Sequence, residues 1–218
     1  MGGRKVCLVG YSSYTREWAN EQEPDVEVWG INECHHFLKQ YSRWYQMHPR
    51  TWKESLAVSK NVELPRNCWG RDPGHVVFLQ SCGVPLYMRQ AYSDLPSSIE
   101  YPLLEILDRF GHYLTSTPAF SLAHALYEHL EGDEISEIRM AGIELGVGTE
   151  YYHQRPCMEY LLGWARGLGI EIKLPPKGCS LLSAPLYSYD TEEDMPVSGL
   201  NGKILGIQPR SDRVKIYG

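Results

Sequence analysis

One loop near residue 150 concentrates side chains that could do chemistry. Tyr151, Tyr152 and His153 stand directly before Gln154 and Arg155. Imidazole is the side chain best tuned to accept a proton near neutral pH, and phenol groups can hydrogen-bond the charge on a leaving phosphate. The pattern predicts a general base at His153, with Tyr151 and Tyr152 at the leaving group. A solvated surface loop of the same composition is the alternative.

Small or polar residues also follow the strand-like runs of the sequence, and two hydroxyl residues open a helix. The carboxyl ends of parallel strands meet along one edge of a sheet, where ligands bind. We therefore expect one nucleotide site at that edge, with Glu144 as a further catalytic candidate that could hold a sugar hydroxyl. The nucleotide-binding candidates are Gly10, Ser12, Ser13, Asn32, His48, Thr115 and Ser116.

Each of these candidates has a structural alternative. The turn at Gly10 has neither P-loop nor GxGxxG spacing, so a plain strand–helix turn explains it equally well. Asn32 can instead cap the helix that follows it. Glu144 can form a surface ion pair, and a lone histidine such as His48 is more often structural.

Glu159 suggests a different chemistry. It lies one turn into the last long helix, ahead of the run Trp164–Gly169. The pattern is similar to that of nucleoside deoxyribosyltransferases, in which such a carboxylate is the nucleophile. A salt bridge on the helix surface is the alternative interpretation.

The elements that must position these residues alternate between strands and helices. This alternation is typical of an α/β fold, and we expect a single Rossmann-like domain over residues 1–185 with a mainly parallel sheet. Residues 186–218 are predicted to form a C-terminal flap or hairpin packed on that domain. The predicted strands are Lys5–Val9, Val26–Trp29, Arg43–Met47, His75–Leu79, Pro85–Met88, Ile135–Ala141 and Ile170–Leu174, and the predicted helices are Thr15–Glu21, Tyr101–Phe110, Thr115–Leu130 and Arg155–Gly167.

Composition excludes several classes of protein. The 218 residues carry a net charge of −6, from 21 basic and 27 acidic side chains, which argues against strong binding to duplex DNA. No apolar run approaches the roughly 18 residues of a membrane helix. The six cysteines include no CxxC pair and the first residues lack a signal-peptide core, so we expect free thiols, a cytoplasmic location, no metal and no cofactor.

The order of motifs in the second half resembles that of bacterial sialyltransferases that use CMP-sialic acid. Leu114–Ser116 opens a helix, Ala141–Glu144 ends a strand, Tyr151–His153 follows, and Ile172–Pro176 precedes Leu181–Leu182. The layout is also similar to archaeal pterin pyrophosphokinases and to small phage and prophage proteins. The last resemblance covers nearly the whole chain and implies a phage-encoded protein in the host cytoplasm.

The resemblance implies a nucleotide-dependent, glycosyltransferase-like transferase with a nucleotide or nucleotide-sugar ligand. The family's Gly-Ile-Asp stands here as Gly-Ile-Glu144, and the arginine that precedes its Thr-Ser pair is absent. Two alternatives stay open, a non-catalytic protein that sequesters a host nucleotide signal and a deoxyribosyltransferase or N-glycosidase using Glu159. Homo-oligomerisation is also left open.

Overall fold

Seven strands form one parallel sheet in the computed structural model of the chain, which describes residues 2–50, 68–146, 150–179 and 181–182. The spatial order is β5-β4-β3-β2-β1-β6-β7. The predicted α/β fold with a parallel sheet is thereby confirmed, while the predicted flap lies outside the described residues. The strands are β1 (Arg4–Val9), β2 (Val26–Ile31), β3 (Arg43–Gln46), β4 (Leu86–Met88), β5 (Ser98–Glu100), β6 (Ile135–Ala141) and β7 (Glu171–Lys173).

Helices connect these strands and cover the sheet. They are α1 (Pro73–Ser81), α2 (Leu103–Phe110), α3 (Thr117–Leu130) and α4 (Arg155–Gly167). Shorter 3-10 helices span Arg16–Glu21, Asn32–His36, Trp69–Arg71 and Glu150–Gln154. Among the described helices, none combines the length and the apolar character that a membrane crossing would need.

The middle of the sheet forms the core because its strands are apolar on both faces. Val6, Leu8 and Val9 of β1 are fully buried, as a strand in the interior of a covered parallel sheet must be. Against the sheet, α3 packs small residues such as Ala119 and Ala123, which let the helix approach closely. Because α3 packs on β1, β2, β3 and β6, the carboxyl ends of these four strands have fixed positions.

The segment His75–Leu79 corrects one prediction, since it lies in helix α1 and not in a strand. Asp72 caps the helix by accepting the Gly74 N–H at 2.8 Å, and Pro73 occupies the first turn. His75 and Leu79 are both buried, four residues apart, as on one face of a helix. The helix-start signals at Asp72 and Pro73 thus determine the structure of this segment, although its short apolar run also fits a strand.

Strand β5 was not among the predicted strands because it carries little apolar signal. It lies at the edge of the sheet, and Ile99 and Glu100 are exposed. The predicted helix at Thr15–Glu21 is a 3-10 helix that begins at Arg16.

The six cysteine side chains form no disulfide bonds, and five of them are buried.

A half-buried ionic network secures the amino ends of β1, β2 and β3. Arg4 on β1 donates to both carboxylate oxygens of Glu27 on β2, at 2.7 and 2.9 Å. Glu128 on α3 accepts from Arg4 at 3.1 Å and from Arg43 on β3 at 2.6 Å. Three strands and the central helix are therefore joined at the edge opposite to the carboxyl ends.

His124 on α3 lies beside this network as a neutral side chain. Its Nδ1 is 2.9 Å from the Tyr45 hydroxyl. Burial, together with the charges of Arg43 and Arg4, lowers the pKa of His124 to about 3. An unfolded histidine titrates near 6.5, so between these two values the unfolded chain binds the extra proton.

Stability should therefore fall as the pH decreases from about 6.5 towards 3. Denaturant unfolding at several pH values should show a slope about 1.4 kcal/mol per pH unit steeper in the wild type than in His124→Gln, between about pH 4 and 6. His112→Gln, at an exposed position, serves as the control and should keep the wild-type slope. Parallel curves for the wild type and His124→Gln would contradict the assignment.

Candidate functional site

The carboxyl edge of the sheet has a switch point between β1 and β6. The chain builds the sheet outwards from β1 to β5 and then returns to place β6 on the other side of β1. Open α/β sheets bind ligands at such points, outside the carboxyl ends of the strands. The candidate site is assembled from the loops that follow β1, β2 and β6 together with the start of α3.

Two glycines bring the loops after β1 and β6 into backbone contact. The Gly10 N–H donates to the Ala141 carbonyl at 2.7 Å, and the Ser12 N–H donates to the Gly142 carbonyl at 3.1 Å. A Cβ atom at Gly10 would overlap the carbonyl group of Gly142, which itself has φ +66°. Neither of these two N–H groups is therefore available to cradle a phosphate.

Thr15 and Glu144 form a buried pair across the same contact. The Thr15 hydroxyl donates to Oε1 of Glu144 and accepts the Gly142 N–H at 2.8 Å. Both residues are only 6% exposed. Among the described residues, Oε2 of Glu144 has no hydrogen-bond partner, which leaves one buried carboxylate oxygen able to accept from a ligand hydroxyl.

Asn32 lies at the end of β2, against the start of α3. Its Oδ1 is 3.5 Å from the hydroxyl of Thr117, the first residue of α3. Its carbonyl oxygen accepts from the Trp44 indole at 3.1 Å, which helps to hold its backbone at φ +46°. The structure thus brings the predicted residues Asn32 and Ser116 to the same edge of the sheet.

The start of α3 offers few unoccupied N–H groups. Ser116 caps the helix by accepting the Ala119 N–H at 3.3 Å, and Pro118 has no N–H to give. The hydroxyl of Ser116 is half-buried and that of Thr115 is exposed. This end of the site is therefore suited to hydrogen bonds with a base or a ribose through side chains.

Three non-glycine residues of the described chain have positive φ, and each lies in a segment that follows a strand. Asn32 follows β2, Leu145 follows Glu144 in the loop after β6, and Leu182 lies in the segment after β7. Their φ angles are 46°, 47° and 56°. Such backbone costs about 1–3 kcal/mol per residue and concentrates at functional sites. Strain of this kind is found where loops are shaped for binding.

His48 follows β3 and lies near a cluster of histidines. Burial lowers its pKa, and the nearby charge of Glu33 opposes that change. Nε2 of the fully buried His75 is 3.0 Å from Oε1 of Gln46, and its Nδ1 is 3.3 Å from Nδ1 of His35. Burial lowers the pKa of His75 to about 4. This cluster could not be predicted from the sequence, because His75 reaches His35 only when residues 73–81 form a helix.

The described residues contain no group of three or more histidine, cysteine or acidic side chains placed to hold a metal ion.

The loop with the predicted general base occupies the expected position in the chain. It contains the 3-10 helix Glu150–Gln154, which follows β6 and leads into α4. The side chains of Tyr151 and His153 are exposed. The catalytic roles assigned to this loop remain predictions.

Glu159 is held by three donors. Its Oε1 accepts from Nε of Arg155 at 2.9 Å and from the Leu182 N–H at 3.0 Å, and Nη2 of Arg155 is 2.9 Å away. These bonds tie α4 to the segment after β7. This arrangement agrees with the structural interpretation of Glu159, as a helix ion pair.

No protein-family model and no curated protein matches the sequence. The solved structure of the sialyltransferase CstII from Campylobacter jejuni, in complex with the substrate analogue cytidine-5'-monophosphate, is 13% identical over 78% of this chain and 79% of that chain, with a TM-score of 0.47. A tyrosine-to-phenylalanine variant of sialyltransferase Cst-II in complex with CMP is 11% identical over 78% and 80%, with a TM-score of 0.46.

The sialyltransferase part of the expected resemblance has a counterpart in these two structures. The expected similarity to phage proteins and to pterin pyrophosphokinases stays a prediction.

The Thr15 hydroxyl gives a direct test of the buried pair. In Thr15→Val the shape is kept, but the Gly142 N–H and the Glu144 carboxylate both lose their partner. We expect a loss of about 2–4 kcal/mol in the free energy of unfolding, measured by denaturant titration.

Thr15→Ser is the matched control, because it retains the hydroxyl and removes only a methyl group. We expect it to preserve most of the stability. Wild-type stability in Thr15→Val, with the loss confined to Thr15→Ser, would show that the methyl packing matters and the hydroxyl does not.

Proposed function

We propose that the chain is a nucleotide-dependent group transferase of the glycosyltransferase type, with its site at the carboxyl edge of β1, β2 and β6. The observation that carries this proposal is the amide of Asn32, held at positive φ against the first turn of α3. An amide presented in this way can both donate to and accept from a base edge or a ribose. The hydroxyl residues Thr115 and Ser116 directly precede that first turn of α3 in the chain.

Glu144 supports a sugar-bearing ligand. Its free carboxylate oxygen is buried, and an unpaired buried acceptor is costly unless a ligand or water supplies a donor. Sugar hydroxyls are suitable donors. The pair with Thr15 fixes the direction of the carboxylate, so that a ligand hydroxyl would meet a preformed acceptor.

The proposed reaction is a direct displacement. An acceptor hydroxyl attacks the anomeric or phosphoryl centre of the donor, its oxygen forms the new bond, and the bond to the nucleotide phosphate breaks. His153 takes the proton from the acceptor hydroxyl. Tyr151 and Tyr152 hydrogen-bond the phosphate oxygens as their charge develops, which is the electrostatic contribution this loop would make.

Asn32→Gly separates binding from folding. Glycine adopts φ +46° without cost, so the stability of the variant should equal or exceed that of the wild type, while the amide is lost. In a thermal-shift panel of nucleotides and nucleotide sugars, a ligand that stabilises the wild type by about 2.7 kcal/mol at 100 times its Kd should lose most of that effect.

Ser42→Ala is the control for this experiment, since its hydroxyl, which donates to the Val28 carbonyl, lies ahead of β3 and not at the carboxyl edge. Its response to the nucleotides should match that of the wild type. Undiminished stabilisation of Asn32→Gly by the same nucleotides would remove the site proposed here.

His153→Ala tests whether the site reacts or only binds. General-base catalysis is worth roughly 10²–10⁴ in rate, so turnover should fall by about that factor while nucleotide affinity stays close to that of the wild type. His112→Ala, at another exposed histidine, should leave turnover unchanged. Nucleotide binding without turnover in the wild type would instead favour the sequestering protein.

A further inference from the structure

Arg16 lies above the carboxyl ends of β1 and β2. Its guanidinium carbon is 4.6 Å from the ring centre of Phe37 and 5.4 Å from that of Tyr11. Tyr11 belongs to the loop after β1, and Phe37 follows the 3-10 helix that starts at Asn32. The guanidinium is therefore stacked between two loops of the candidate site.

Most donors of this guanidinium are unused. Nη1 donates to the Tyr11 carbonyl at 3.4 Å, the long end of the hydrogen-bond range. Nε is 3.5 Å from the exposed carboxylate of Glu17 and makes no hydrogen bond with the described residues. Nε is a buried atom, so the edge that Arg16 can offer to an anion is the one formed by Nη1 and Nη2 in the rigid fork of five N–H donors.

Three other arginines of the described chain have clear structural partners. Arg4, Arg43 and Arg139 are each hydrogen-bonded to a carboxylate that is buried or half-buried. Arg16 differs from these three, because its carboxylate neighbour among the described residues, Glu17, is mostly exposed and such pairs contribute little. Ion pairing within the fold thus leaves the position of Arg16 unexplained.

We propose that Arg16 binds the phosphate of the nucleotide and makes the site prefer nucleotides to nucleosides. This inference rests on the proposed function. The N–H groups of Gly10 and Ser12 are occupied by carbonyls at the β1–β6 contact, so neither can bind the phosphate, and the neighbouring guanidinium of Arg16 supplies a charged donor instead. Stacking on two rings holds the guanidinium plane, and its fork matches the geometry of phosphate oxygens.

The ligand in this proposal spans the carboxyl edge. Its base or ribose contacts Asn32 and Ser116 at the start of α3, and its phosphate contacts Arg16 at the loop after β1. Asn32 and Phe37 bound one 3-10 helix, so a single short element positions both ends of the ligand. Arg16 would thus determine specificity for a phosphorylated ligand without taking part in proton transfer.

The test compares the four ribonucleoside 5′-monophosphates with the matching nucleosides by isothermal titration of the full chain. Arg16→Gln should weaken binding of the monophosphate by about tenfold or more and leave nucleoside affinity unchanged. Arg16→Lys, which keeps the charge but loses the fork, should give an intermediate loss. Lys39→Gln removes an exposed cation from the loop after the same 3-10 helix and should change neither affinity.

The outcomes are distinguishable. A wild type that binds no nucleotide would overturn the proposed function and this inference together. A wild type that binds nucleotides, with an unchanged ratio of nucleotide to nucleoside affinity in Arg16→Gln, would overturn this inference alone. Parallel losses for nucleotide and nucleoside would show that Arg16 only holds Tyr11 and Phe37 in place, which also overturns it.

Discussion

The contact between Gly10 and Gly142 is the constraint on which the site depends. Here the backbones following β1 and β6 approach so closely that neither position has space for a Cβ atom. The contact fixes the distance between the two loops at the switch point. It also places the Thr15 hydroxyl where it can bond both the Gly142 N–H and the Glu144 carboxylate. The orientation of Glu144 follows from this geometry, as does the position at which the 3-10 helix Arg16–Glu21 begins.

The two ends of the sheet are therefore held in different ways. At the amino ends, Arg4, Glu27, Arg43 and Glu128 satisfy one another in an ionic network. At the carboxyl ends, hydrogen-bonding groups remain unused, as with Oε2 of Glu144 among the described residues. A folded chain keeps unsatisfied buried polar groups only at a cost, and the ionic end supplies rigidity that makes this cost tolerable.

Much of the fold could be predicted from local sequence signals. The strand Ile135–Ala141 and the helix Arg155–Gly167 have the predicted boundaries, because apolar runs and proline or glycine limits are local properties. The error at His75–Leu79 arose where five apolar or aromatic residues fit either structure, and the cap at Asp72 decided for a helix. Edge strand β5 escaped prediction because it buries little.

The site was harder to predict than the fold. Asn32 and Ser116 could be selected because each stands at the boundary of an element, and boundaries in a parallel sheet converge at one edge. Thr15 was predicted only as the first residue of a helix, yet its hydroxyl bonds Gly142 and Glu144, more than a hundred residues away in the sequence. The stacking of Arg16 on Tyr11 and Phe37 likewise depends on tertiary contact. Such roles have no local signature in a single sequence.

The pairing of β1 has a consequence for the order of folding. Lys5 pairs with Val26 on one side but with Glu137 on the other. At about 5–20 residues per second, ribosomal synthesis needs on the order of ten seconds to pass from β1 to β6. Throughout that interval the central strand of the future sheet has one unpaired edge, which is the kind of surface that recruits other strands. In a nascent chain of this fold, β1 thus waits for β6 to be synthesised before its second edge can pair. Parallel sheets with such distant pairings fold slowly.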